Sequence, residues 1–344
     1  MAGQEVSRGW IGVVSLAYFA CAVLASFSAR ATESIVVELG LDESVATMAA
    51  SGNTLALGVA QRDPYDPSKG VGALKDRAAI ALVREGAPIA RTPLERGYLR
   101  GIVATGSGFV ALRVVIPGGT APTVTHVFRV DFSGNVTALA PLTMDPIGLW
   151  VGDNGEVFVY SAKAVVRWPK EGGAWSPVRL DPAIVAGPIR KMVGLKGGEV
   201  AVINDRAIIG LARLEAQPKF VKDLNAYPYP LKLYGDGERW WLVVHAQDSQ
   251  KVIQVTTDGG VQEAATMRVV NVHELLFSGD EVIVVCARDG GNVHKSSFYV
   301  LDRAGVAPMR GPLKLPDDTT ATAVWGKAIA SGGAMRRVSR ISIH

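Results

Sequence analysis

From residue 32 onward, apolar residues either alternate with polar ones or gather in short runs such as LALGVA, VFVY and VIVVCA. Alternation with period two marks a half-buried strand, and a short apolar run between turn residues marks a strand covered on both faces. The three-and-four spacing of an amphipathic helix is almost missing. Glycine or Asp-Gly breaks the pattern every few residues, where a chain reverses. The pattern predicts an all-β protein.

The strands repeat. One unit, an apolar strand, a glycine turn and a second strongly apolar strand, recurs seven times: VATMAASGNTLALGVA, LRGIVATGSGFVALRVV, IGLWVGDNGEVFVYSA, IRKMVGLKGGEVAVIND, LKLYGDGERWWLVVHA, VHELLFSGDEVIVVCA and ATAVWGKAIASGG. The turn glycines are read as Gly52, Gly108, Gly155, Gly198, Gly237, Gly279 and Gly326, spaced 39 to 56 residues apart. That spacing suits four strands and their turns. A second hairpin follows in most units, with turns at Arg84-Glu85-Gly86, Ser133-Gly134, Asp258-Gly259-Gly260 and Arg303-Ala304-Gly305. Tight reversals need positive φ, which glycine supplies without steric cost. A β-sandwich of ordinary hairpins is the alternative, but one internal plan repeated seven times favours a closed array.

The last unit holds only three strands, ending in AMRRVSRISIH, while ESIVVELGL (residues 33–41) stands unpaired before the first unit. Pairing the two completes a seventh sheet and removes two exposed edges. In repeat plan the chain resembles the seven-bladed β-propellers, broadly of the YVTN, NHL and WD40-like kind, over nearly all of residues 33–344. Six or eight blades are the alternative counts. The resemblance implies a fold and no catalytic residues: the Gly-His…Trp-Asp signature of WD40 repeats is absent, and so is the quinoprotein blade motif.

Composition changes this picture little. Apolar residues make up 48%, charged ones 20%, and the net charge is +4. Neither a basic arm nor an acidic tail argues for nucleic acid as a partner. The N-terminus is distinctive. WIGVVSLAYFACAVLASFSA (residues 10–29) is uncharged, follows Arg8, and precedes Ala29-Arg30-Ala31, a small-x-small site. This is the layout of a signal peptide over residues 1–31, cut after Ala31, which makes the protein periplasmic or secreted. The run is also long enough to stay in a bilayer as an anchor. After cleavage Cys286 alone remains of the two cysteines, so the 32–344 domain must hold without a disulfide. Nothing in the sequence argues for more than a monomer.

Candidate chemistry is sparse. In propellers, the loops between second and third strands lie on the face where the innermost strands begin. Here those loops grow unevenly. Residues 61–76 form a long one with Asp63, Tyr65 and Asp66; residues 117–125 form another; residues 245–251 carry His245 and Asp248; and residues 287–295 carry Arg288, Asp289, His294 and Lys295. Loops on rigid scaffolds carry function, so these are read as one wall of a binding face. Polar residues at the starts of the innermost strands, Arg100, Asp145, Arg190, Lys191, Lys232, His273 and Glu274, should face the mouth of a central channel. Such a ring suits an anionic or polyhydroxylated ligand. The histidines never fall at metal-ligand spacing, so no metal site or cofactor is read from the sequence. Trp150, Trp240 and Trp241 read as packing between blades.

The function expected first is an exported module that binds a protein, peptide or glycan on the long-loop face. An exported lyase or hydrolase with a divalent cation is the alternative, and an envelope scaffold anchored by residues 10–29 is the third reading.

Overall fold

The computed structural model describes residues 32–61, 77–116, 121–224, 230–268, 271–290, 293–305, 307–316, 319–333 and 336–342. Seven antiparallel sheets follow one another along the chain. The first holds Glu43–Ser51, Thr54–Gln61, Arg77–Arg84 and Ala90–Arg96. The second holds Tyr98–Thr105, Gly108–Val115 and Val124–Asp131, its outer edge split between Val136–Ala138 and Leu142–Thr143. The third is the smallest: Gly148–Val151, Val157–Tyr160, Val165–Trp168 and Ser176–Pro177. One helical turn, Pro182–Val185, capped by the Asp181 carboxylate on Ala183 N at 2.9 Å, leads into the fourth. That sheet has Ile189–Gly194, Val200–Asn204, Ala207–Leu211 and Pro218–Asp223. The fifth and sixth begin with Pro230–Gly235 and Asn271–Ser278.

The seventh sheet joins the two ends of the described chain. Thr319–Trp325, Ala328–Gly333 and Arg337–Ser342 are followed outward by Thr32–Glu38, which pairs antiparallel with Arg337–Ser342. The Ser339 hydroxyl donates to Glu33 Oε1 at 2.6 Å, and Val37 is buried in the core beside Val338.

First strands of neighbouring sheets pack on one another around the ring, so they are innermost. Second strands such as Val157–Tyr160 and Val200–Asn204 are buried along their whole length. A strand covered on both faces has no polar side to show, which is why these read as unbroken apolar runs. The core is divided accordingly. Seven apolar clusters are found among the described residues, and each bridges two consecutive sheets. The cluster between the last and first sheets joins Trp325 and Ala323 to Leu55 and Leu57, so the ring is closed. Trp240 and Trp241, fully buried, serve opposite neighbours: Trp240 packs toward the fourth sheet and Trp241 toward the sixth. Burying each such side chain contributes about 2–3 kcal/mol. The molecule is a seven-bladed β-propeller, and the sheets are its blades.

Three expectations need correction. Gly108 is not a turn residue. It is the first residue of its strand, at φ 149°, where an added Cβ would clash with Val130 O. Residues 245–251 form no long loop: Trp240–Ala246 and Ser249–Val255 are joined by Gln247 and Asp248 alone, with Gln247 at φ 42°. In blade 6 the extra residues lengthen the strands. Arg288 pairs with Lys295 and Asp289 with His294, so Glu281–Gly290 and Val293–Asp302 form a projecting ribbon. Both stretches look loop-like in sequence because polar residues crowd them, yet two-stranded pairing needs only backbone groups.

Candidate functional site

The innermost strands share a defect. In six of the seven blades the pairing between first and second strands slips by one residue near the start, leaving Ala46, Arg100, Arg190, Leu231, His273 and Thr320 as extra residues. A β-bulge re-aims the side chains around it, and bulges are common beside functional sites. Blade 3 has a short, regular first strand without one.

The residues just after the bulges form a ring: Thr47, Gly101, Lys191, Lys232, Glu274 and Ala321, with Gly148 at the matching place in blade 3. The ring is lopsided. Blades 4, 5 and 6 supply two lysines and a glutamate, whereas blades 7, 1, 2 and 3 supply alanine, threonine and two glycines. An added Cβ at Gly101 would meet only Leu149 Cδ2, at 3.9 Å. Charge sits on one side of the ring and small residues on the other, where Gly101 is open and the Tyr160 hydroxyl fills the place beside Gly148.

The charged side is tightly built. Lys232 Nζ donates to Val272 O at 3.0 Å and to His273 O at 2.6 Å. Tyr234 donates its hydroxyl proton to His273 O at 3.3 Å. Gln250 Oε1 accepts from Val272 N at 2.6 Å. These contacts fix the backbone at the blade 6 bulge. The His273 ring places Nε2 3.3 Å from Thr320 O, a bond that puts the proton on Nε2 and leaves Nδ1 open. Thr322 donates to Glu274 Oε2. Thr322 occupies the place that is Met48, Ile102, Leu149, Met192, Leu233 and Leu275 in the other blades. A hydroxyl has replaced an apolar side chain where the Glu274 carboxyl needs a partner.

Electrostatics follow from crowding. Loss of solvent pushes the Glu274 carboxyl upward; Thr322, His273 and the two lysines pull the other way without reversing it. Loss of solvent lowers Lys191 and Lys232, against the pull of Glu274. Lys191 is nonetheless exposed. Both statements hold for a side chain in a narrow channel, whose surface is wet while protein surrounds it. Lys191 Nζ has no hydrogen-bond partner among the described residues. Tyr234 is also raised, by burial and by Glu274, and burial pushes Tyr160 up to about 12.

Of the seven residues expected at the mouth, Lys191, Lys232, His273 and Glu274 come together. Arg190 is the bulged residue of blade 4 but turns to Asp205 of its own blade, with Nε 2.5 Å from Oδ1. Arg100 is the bulged residue of blade 2, exposed, and bonded to the Tyr98 hydroxyl at 3.3 Å. Asp145 is exposed in the link before blade 3. His245 is exposed against Gln250, and Asp248 is exposed in its two-residue turn. Lys295 is exposed on the blade 6 ribbon. Arg288, Asp289 and His294 are placed there by backbone pairing, their side chains lying outside the described residues. Asp63, Tyr65 and Asp66 also fall outside the described residues. Tyr234, Gln250 and Thr322 were missed by sequence reasoning.

Cys286 is buried, and burial pushes its thiol up to about 12. It pairs with Ser297, three positions along the strand from His294. Among the described residues no three His, Cys, Asp or Glu side chains stand close enough to hold a metal ion. A concavity of about 540 Å³ lies between blades 3 and 4 on the opposite face, lined by Trp150, Asp153, Glu156, Arg167 and Arg213. Its charges are largely spent internally: Arg167 reaches Glu156 at 3.8 Å and Glu215 at 3.6 Å. Trp150 stacks on Phe158 at 4.3 Å, with Gly194 against its indole.

Known structures share this architecture. A streptogramin B lyase superimposes with a TM-score of 0.60 at 10% identity, over 92% of this chain and 98% of that one. A catalytically inactive virginiamycin B lyase from Staphylococcus aureus, with quinupristin, gives the same TM-score and identity over 92% and 100%. YCF48 from Cyanidioschyzon merolae gives 0.56 at 13% identity over 90% and 98%. The fold is shared; the sequence is not. No family model matches the chain, and no curated protein matches it. At such identities the likeness extends to the propeller scaffold and leaves the chemistry open.

Proposed function

We propose that this protein is an exported binding module. Residues 1–31 direct it to the periplasm or out of the cell, and residues 32–344 present a propeller that holds a protein, peptide or glycan ligand at the mouth of its channel. One observation above all supports this reading. Lys232, His273, Tyr234 and Thr322 each make a bond that a purely structural role would explain, since they tie the inner ends of blades 5, 6 and 7 together. Lys191 makes none among the described residues, yet stands on the same ring, within electrostatic reach of Glu274 and Lys232. A cation kept crowded and unpartnered costs stability, and a ligand that accepts from it repays that cost.

The alternative, an exported lyase or hydrolase with a divalent cation, would use His273 and Glu274 at the same mouth. A third reading keeps residues 10–29 as a membrane anchor. No helix among the described residues is long and apolar enough to cross a membrane.

Glycan and peptide arrays probed with the mature chain test the proposal. Wild-type protein is expected to retain a chemically related set of ligands. Lys191→Ala and Glu274→Gln, each melting no lower than wild type, are expected to lose that set by tenfold or more. Retention of the same ligands by both variants would rule the channel mouth out.

A further inference from the structure

Building on that binding reading, we infer the chemical class of the ligand: a small monoanionic hydroxycarboxylate of the sugar-acid type, its carboxylate between Lys191 and Lys232 and a neighbouring hydroxyl on Glu274. The protein leaves particular bonding positions open at the mouth. Lys232 spends two of its three N–H groups on Val272 O and His273 O. Among the described residues nothing takes the third N–H, and nothing takes any of the three on Lys191. Two ammonium groups from adjacent blades, with Glu274 within electrostatic reach of both, make an acceptor-seeking pair. A carboxylate has two oxygens to share between them, through charge-assisted hydrogen bonds.

Glu274 selects what stands next to that carboxylate. Thr322 donates to Oε2, while Oε1 has no partner among the described residues. An ionised Glu274 needs a donor at Oε1, and a protonated one needs an acceptor. A hydroxyl serves either form, which an amide N–H does not. A second negative charge, as on a phosphate monoester, would be brought up against Glu274. On the other side of the ring, Ala321, Thr47 and the open position at Gly101 leave room for a compact polar body, with Arg100 within electrostatic reach of the Tyr160 hydroxyl. Among these residues there is no apolar wall that would grip a peptide side chain.

Titration calorimetry of the mature chain with D-glucuronate, D-glucose, glucose 6-phosphate and acetyl-diglycine tests this. Glucuronate is expected to bind at least about tenfold more tightly than each of the other three, a ratio typical of losing one charge-assisted hydrogen bond. Lys191→Ala and Glu274→Gln are each expected to lower glucuronate affinity about tenfold or more, with melting temperatures no lower than wild type. Preferential binding of glucose 6-phosphate or acetyl-diglycine that Lys191→Ala abolishes would overturn the ligand class and leave the site standing. Glucuronate binding indifferent to both substitutions overturns the assignment of these residues. If none of the four binds, the sugar-acid class is overturned, while the array experiment still decides whether the mouth binds anything.

Discussion

At the residue scale, the account turns on Glu274, whose position follows from the bulge at His273 and whose partner is a threonine in an otherwise apolar place. Its proton affinity makes a stability prediction. In the unfolded chain Glu274 ionises near 4.5, whereas burial holds it protonated to higher pH in the folded protein. Above 4.5 the native state therefore binds more protons than the unfolded one, and stability falls as pH rises through that window. Glu274→Gln removes the penalty. Relative to wild type its melting temperature should be similar at about pH 4 and higher at about pH 7. A difference that shrinks toward neutral pH would mean that the lysines overcome the burial. Thr322 shows why part of the site was hidden. In ATAVW it reads as one polar residue in a strand, and only the register of the repeats reveals six apolar residues at the equivalent place. Lys191, Lys232, His273 and Glu274 were legible because charges at the start of apolar strands stand out. Gln250 was not, because its role is to satisfy Val272 N across a blade boundary.

At the element scale, the two-residue period and glycine punctuation made the strands readable, and the repeat made their grouping readable. What the chain did not disclose was how far strands run. Residues 245–251 and 287–295 hold enough polar residues to suggest loops, but continued backbone pairing turns one into a two-residue turn and the other into a ribbon. Side-chain pattern fixes which face is buried and says little about where pairing stops once both faces are wet. The bulges leave no trace in side-chain pattern either, since they are events of backbone register. The element most exposed to a direct test is Thr32–Glu38. Deleting residues 32–38 uncovers the edge at Arg337–Ser342 and removes Val37 from the cluster that closes the ring. Circular dichroism melts of that deletion should show a broad transition at least about 10 °C below wild type, a loss of several kcal/mol. A transition coincident with wild type would show that closure rests on blade contacts alone.

At the scale of the whole molecule, seven apolar seams hold seven blades, and the ring they form is symmetric in backbone but not in charge. Lysines and a glutamate occupy blades 4 to 6 of the inner ring, while small residues occupy the other four blades. A scaffold that needed only to solvate its channel would gain nothing from leaving Lys191 without a hydrogen-bond partner among the described residues. The direct test is acetylation footprinting of lysines, read by mass spectrometry, with and without a saturating ligand taken from the array screen. Protection confined to Lys191 and Lys232, with Lys170 and Lys196 on the opposite face reacting as before, is the predicted result. Protection of Lys170 or Lys196 with Lys191 still reactive would contradict the account and move the site to the other face.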